Sequence, residues 1–206
     1  GISSIHGMML SGMELQGDRF HASMSMIYAL YGQLINYRIS SSGLLTIGLR
    51  GGLYPEDLKI SPPSYFRSGR TRARLLGGNL SLLYALSSTP YDLPLSERFI
   101  LFFEDLDEYL YHVDMMMQQF LLSGKLNRLA GVIVGGMSEM KDNPVPFGKS
   151  ANEIVREYLA PLDIPVFIGF PAGHIDLNLA LYLGAEVDFM VGKDGSCVLE
   201  FLNLPT

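Results

Sequence analysis

The stretch RFILFFEDLDEYLYHV, residues 98–113, runs an apolar segment straight into four carboxylates. Residues 99–103 are continuous, aromatic and branched, and too few for a helix, so they read as a buried strand. Glu104, Asp105, Asp107 and Glu108 crowd its end, where like charges repel unless something opposes them. Helical spacing resumes at Leu110, Val113, Met116, Met117, Phe120 and Leu121, which predicts a helix near 109–123 with a core-filling face. Asp105, Asp107 and Glu108 are expected in its first turn, where the helix dipole favours acids. Glu104 is left without a packing reason.

Outward from this stretch the chain alternates. AGVIV (130–134) is a strand, KSANEIVREYL (149–159) a helix with Ser150 as N-cap, and IPVFIGF (164–170) a strand. This β-α-β-α-β order implies a partly parallel sheet, with loop sites at the strand carboxyl ends. Residues 177–202 read as strands, the last two a hairpin around Gly192–Gly195. Upstream, Arg70, Arg72 and Arg74 alternate along a strand with one basic face, either solvated or an anion site. GGNL leads into the short apolar helix LSLLYAL, with Asn79 as a helix N-cap or a cleft residue. Residues 38–64 are rich in Gly, Ser and Pro and read as a linker with loosely held strands. Residues 19–36 have helical spacing from Phe20 to Leu34. The expected division is therefore 1–37, 38–64 and 65–206. The chain opens on Gly1 without Met, and is expected to be part of something longer.

The 206 residues are 48% hydrophobic and 17% charged, a globular composition. A net charge of −6 argues against nucleic-acid binding. The run at 22–37 is too short and too polar to span a bilayer, so no membrane partner is expected. One cysteine, Cys197, allows no internal disulfide and fits a reducing, cytoplasmic compartment.

Two parallel strands end in polar residues that packing does not explain: Glu104, and His174 in VFIGFPAGH. Were the strands neighbours, a carboxylate could fix an imidazole's tautomer on one rim, two-thirds of a hydrolytic triad. A loop histidine and a helix-capping acid remain the plainer alternative. Cys197 has no activating neighbour beyond Lys193 and reads as buried. Ser138, in GMSEM, only approaches a nucleophile elbow, because Met140 stands where a small residue is needed. Ser3, Ser4 and Ser11 lie in no motif, and His6, His21 and His112 read as structural. No metal-ligand spacing, phosphate loop or dinucleotide fingerprint occurs, so no metal or cofactor is expected.

LLGGNLSLLYALSSTPY (75–91), ILFFEDLDEYLYHVDMMMQQFLLSGKLNRLAGVIVGG (100–136) and IPVFIGFPAGHIDLNLALYLGAEVDF (164–189) together resemble the LD-carboxypeptidase family of serine peptidases. These are muramoyltetrapeptide carboxypeptidases, with microcin self-immunity proteins as a sister branch. SIHGMML (4–10) resembles the family's G-P-M segment, with Met8 where proline is usual. The resemblance runs from about residue 5 to the end.

It implies an α/β fold: a swivelling β/β/α-type C-terminal domain with a mixed sheet, preceded here by a remnant of a Rossmann-like N-terminal domain. It implies a metal-free Ser-Glu-His triad, with Glu104 and His174 in the last two roles. The serine and oxyanion-hole glycines would lie upstream of the HGMM segment, so the chain is expected to be inactive alone. The implied substrate is a murein tetrapeptide losing its terminal D-Ala in cell-wall recycling, with Asn79 and Asp105 as substrate contacts. The implied partners are that substrate, the missing domain, and a second copy of the chain on the apolar face that domain would cover. Met115 replaces the family's Arg, and Ser87-Ser88 a glycine, which keeps a non-catalytic binding domain open. A microcin-immunity-type amidohydrolase is the other alternative, disfavoured by the absence of Trp.

Overall fold

The computed structural model describes residues 4–7, 17–54, 56–202 and 204; Ser3, Met8 and Ser11 fall outside them. Strand β1 (Ser4–His6) precedes helix α1 (Gly17–Leu30), which buries Ala22, Ser25, Met26 and Ala29. Short strands follow: β2 (Leu34–Ile39), β3 (Leu44–Leu49), β4 (Gly52–Leu53), β5 (Leu58–Lys59) and β6 (Tyr65–Arg67). The long β7 (Gly69–Asn79) leads into helix α2 (Leu80–Ala85) and then β8 (Phe99–Leu106). Helix α3 (Leu110–Leu122), β9 (Leu129–Ser138), helix α4 (Ala151–Leu159) and β10 (Val166–Ile168) complete the alternating part. The tail holds β11 (Leu181–Leu183), β12 (Glu186–Val191) and β13 (Cys197–Leu202).

One large mixed sheet runs β4-β3-β2-β13-β12-β7-β8-β9-β10-β6, with β5 beside β3. β7, β8, β9 and β10 are parallel because a crossover returns the chain between each pair; the remaining pairings are antiparallel. β8 lies inside this block and is covered on both faces. Phe99, Leu101 and Phe103 pack under α2, α3 and α4, while Ile100 and Phe102 join a second core with Tyr37, Phe167 and Phe189. That double burial is why residues 99–103 carry no polar alternation. A close approach fixes β7 against β8: Gly77, at φ 148°, lies where a Cβ would overlap the carbonyl oxygen of Phe102.

Two expectations differ. The helix expected over 19–36 stops at Leu30, because Gly32 turns the chain with φ 62° and LINYRI continues as strand β2. Leu34 fitted a helical stripe but is buried for strand reasons. Residues 38–64 do not behave as a loose linker. Their β3 buries Leu45 and Ile47 and pairs with β2, and the Gly and Ser residues at 40–43 form the hairpin turn between them. β2 in turn pairs with β13, so the end of the 1–37 segment, the strands within 38–64 and the tail share one sheet.

Candidate active site

Glu104 stands near the carboxyl end of β8, and its side chain is wholly buried. Glycines make room for it: a Cβ on Gly135 would lie 3.1 Å, and on Gly173 2.6 Å, from the Cβ of Glu104. The loop after β10 carries His174 over this carboxylate. Glu104 Oε2 accepts from the His174 backbone N–H at 3.1 Å and pairs with its Nδ1 at 2.8 Å. A carboxylate cannot donate, so Nδ1 carries the proton and Nε2 is left as the basic nitrogen of a half-exposed ring.

The loop itself is staked down. Gly173, at φ 109°, donates its N–H to Asn178 Oδ1 at 2.8 Å. The Ser138 hydroxyl donates to the His174 carbonyl at 2.7 Å, and Asp176 pairs with Arg19 of α1 at 3.1 Å. The two strand-end groups singled out in the sequence are therefore in direct contact.

The other acids of the stretch divide differently from expectation. β8 continues to Leu106, and α3 starts at Leu110 with no acid in its first turn. Asp105 faces α2, on the side of the sheet away from Glu104. Its buried carboxylate accepts from Asn79 Nδ2 at 2.7 Å, Ser81 Oγ at 2.6 Å, and the backbone N–H groups of Ser81 and Leu106 at 3.0 and 2.9 Å. Asn79 also caps α2, accepting from the Leu82 N–H at 3.2 Å. Within the chain, Asn79 and Asp105 hold α2 to β8. Asp107 pairs with Lys141 at 2.6 Å, and Glu108 with His112 at 2.8 Å. Each charge in the crowded stretch has its own partner.

The basic face of β7 is answered as well. Arg70 pairs with Asp188 and Arg72 with Glu186 on the neighbouring β12, and Arg74 pairs with Glu97, which leaves little positive field for an anion. Cys197 is buried, and burial pushes its thiol far above the usual range. Ser138 spends its hydroxyl on a backbone carbonyl.

One further residue lies beside the pair. His6, read as structural, sits edge-on to Phe102 with ring centroids 5.0 Å apart, within electrostatic reach of both Glu104 and His174. Burial lowers its pKa from the ordinary 6.5, against the opposing pull of Glu104 and with help from His174, which favours the neutral ring. The only signal in the text was its place in SIHGMML, where strand alternation and the pairing of β1 with β11 are invisible. Among the described residues no group of three His, Cys, Asp or Glu side chains could hold a metal. None of the described helices is long and apolar enough to cross a membrane.

Residues 72–189 match the LD-carboxypeptidase C-terminal domain. The chain belongs to the LD-carboxypeptidase family. Among relatives, the probable murein peptide carboxypeptidase of Bacillus subtilis is 33% identical over 137 residues, covering 65% of this chain and 41% of that protein. The murein tetrapeptide carboxypeptidase of Pseudomonas aeruginosa is 29% identical over 111 residues, or 54% of this chain and 36% of the relative. The chain spans about half or less of the length of these curated relatives. The fold is shared with the crystal structure of muramoyltetrapeptide carboxypeptidase from Oxalobacter formigenes, with a TM-score of 0.76 at 23% identity, covering 100% of this chain and 63% of that one. The microcin C7 self-immunity protein MccF aligns equally well, with a TM-score of 0.76 at 20% identity over 100% and 62% of the two chains.

Proposed function

We propose that this chain supplies the glutamate and histidine of a Ser-Glu-His triad in a carboxypeptidase that removes the terminal D-alanine from a murein tetrapeptide. The observation that carries the reading is the 2.8 Å contact between Glu104 Oε2 and His174 Nδ1, made by a buried acid and a half-exposed ring. In this arrangement Nε2 faces outward as a general base. It takes the proton of the serine hydroxyl as that oxygen attacks the scissile carbonyl, then returns it to the departing D-alanine amine. Glu104 keeps the imidazole in the needed tautomer and offsets the positive charge it gains.

The serine and the oxyanion-hole donors would come from polypeptide outside these 206 residues. Two observations support this. No hydroxyl among the described residues bonds His174 Nε2, and the chain covers only 41% of its Bacillus relative. Backbone donors at the oxyanion would contribute about 3–4 kcal/mol to the transition state. The pair would serve an amidohydrolase of the microcin-immunity kind equally well, so substrate choice lies elsewhere in the whole protein.

The test is D-alanine release from a murein tetrapeptide by a serine-bearing parent protein and by the 206-residue chain. The parent should turn over, and the chain alone should not. Release by the isolated chain would overturn the assignment of the nucleophile. A parent that cleaves only nucleotide–peptide conjugates would move the reading to the other branch.

A further inference from the structure

Glu104 is buried, yet among the described residues only one of its oxygens is satisfied: Oε2 takes both hydrogen bonds from His174, while the buried Oε1 has no partner there. A second orphan lies nearby. The Nε2 of His6 is likewise buried and has no partner among the described residues. Buried polar atoms without partners are few in folded proteins, and two complementary ones in one neighbourhood call for a common explanation.

Both groups face the same side of β8. His6 rests against Phe102, two residues before Glu104 and on the same face of the strand. β1 is tightly seated there. His6 is in register with Leu181 of β11, and a Cβ on Gly7 would press on Met26 of α1 and on Ala180.

We propose that His6 is a positioning residue of this site, its Nε2–H held to Glu104 Oε1 through one buried water. The water accepts from His6 and donates to the carboxylate, which fixes the rotamer that presents Oε2 to His174. Such an arrangement suits a neutral imidazole, which adds no charge to compete with that of His174 for the carboxylate. The inference rests on the pairing used in the proposed function, but its test reads geometry and not turnover. A failed peptidase assay leaves it standing, and its own failure leaves the peptidase reading standing.

The test combines a crystal structure of the 206-residue chain, at a resolution that shows ordered water, with proton NMR of the His174 Nδ1–H shared with Glu104. One water within about 3 Å of both His6 Nε2 and Glu104 Oε1 is expected. His6→Phe, which fills the space without a donor, should lose the Nδ1–H resonance, and His6→Gln, which keeps a donor, should restore it. No shared water, an unchanged resonance in His6→Phe, or equal loss in both variants would overturn the proposal. Should His6→Phe fail to fold, the crystal structure alone decides.

Discussion

Gly173 and Glu104 are packed so closely that a single methyl on the glycine would lie 2.6 Å from both the Cβ and Cγ of the acid. The glycine also holds a φ of 109°, which L side chains rarely adopt. Absence of a side chain at 173 is thus what lets a buried carboxylate and the His174 backbone share one spot.

Gly173→Ala is expected to force the loop away from β8, at a cost of roughly 1–3 kcal/mol from overpacking, with further strain from the backbone. Denaturant melts should show the lowered midpoint, and the His174–Glu104 contact should be gone from the variant's structure. A variant of unchanged stability with the 2.8 Å contact intact would refute the steric account.

Ser138→Ala removes only the hydroxyl that holds the His174 carbonyl. It should cost about 1 kcal/mol of stability, the net worth of an ordinary hydrogen bond. In a serine-bearing parent the loss should fall on kcat rather than KM, because the imidazole is less well placed while the substrate contacts are untouched. A larger fall in rate, to the level of His174→Ala, would instead make Ser138 a participant in the chemistry.

Asp105→Ala leaves Asn79, Ser81 and Leu106 with unanswered donors around a buried space. A loss of about 1–3 kcal/mol is expected for such orphaned groups, read as a lower melting temperature. Asn79→Ala should cost about 1 kcal/mol through the lost cap of α2. If either change instead raised KM with stability unaltered, these residues would be substrate contacts after all.

Acid should weaken the fold through Asp92. Burial raises its pKa, but the Ser88 N–H, the Lys125 ammonium and the Leu93 N–H outweigh burial and hold it below 3.8. A depressed folded-state value means that its contribution is fully present above the unfolded value and is lost as pH falls through the folded one. Lys125, whose side chain is only 2% exposed and lies 3.0 Å from Asp92, would be left as a buried cation. Asp92→Asn should therefore cost about 3 kcal/mol at pH 7. The gap to the parent should narrow below about pH 4, the range in which an ordinary aspartate titrates. A gap that stayed constant with pH would exclude the ion pair as its source.

The sequence was most legible where one period persisted. Strand β8, helix α3 and the final hairpin could be read because a run such as ILFF or a spacing such as Val113–Met117–Phe120 admits one structure. The capping box of Ser150 and Glu153 was half visible, through Ser150 alone. Residues 34–39 misled because LINYRI continues a helical stripe by chance, and only Gly32 marks the break. The Glu104–His174 contact could be expected only in outline: parallel strands bring their carboxyl ends to one rim, but β8 and β10 are not neighbours, and the loop after β10 reaches Glu104 across the side-chain-free Gly135 of the intervening β9. The fate of Asp105 could not, because which face of β8 an acid takes near a bulge depends on pairing with β9. His6 was illegible for a similar reason: its role arises from β1 docking on β11, some 175 residues away in the chain.

Glu104 and His174 are anchored in unequal ways. The acid belongs to an interior strand sealed by two cores, so its amide should exchange with deuterium only when the entire molecule opens. The imidazole rides on a loop whose Phe170, Ala172 and Leu177 enter the core, but its own ring is half-exposed, so local opening at His174 should need less than global unfolding. In a serine-bearing parent that uses the proposed triad, warming should part the ring from its acid before the sheet melts, so that loss of turnover would precede loss of far-ultraviolet signal.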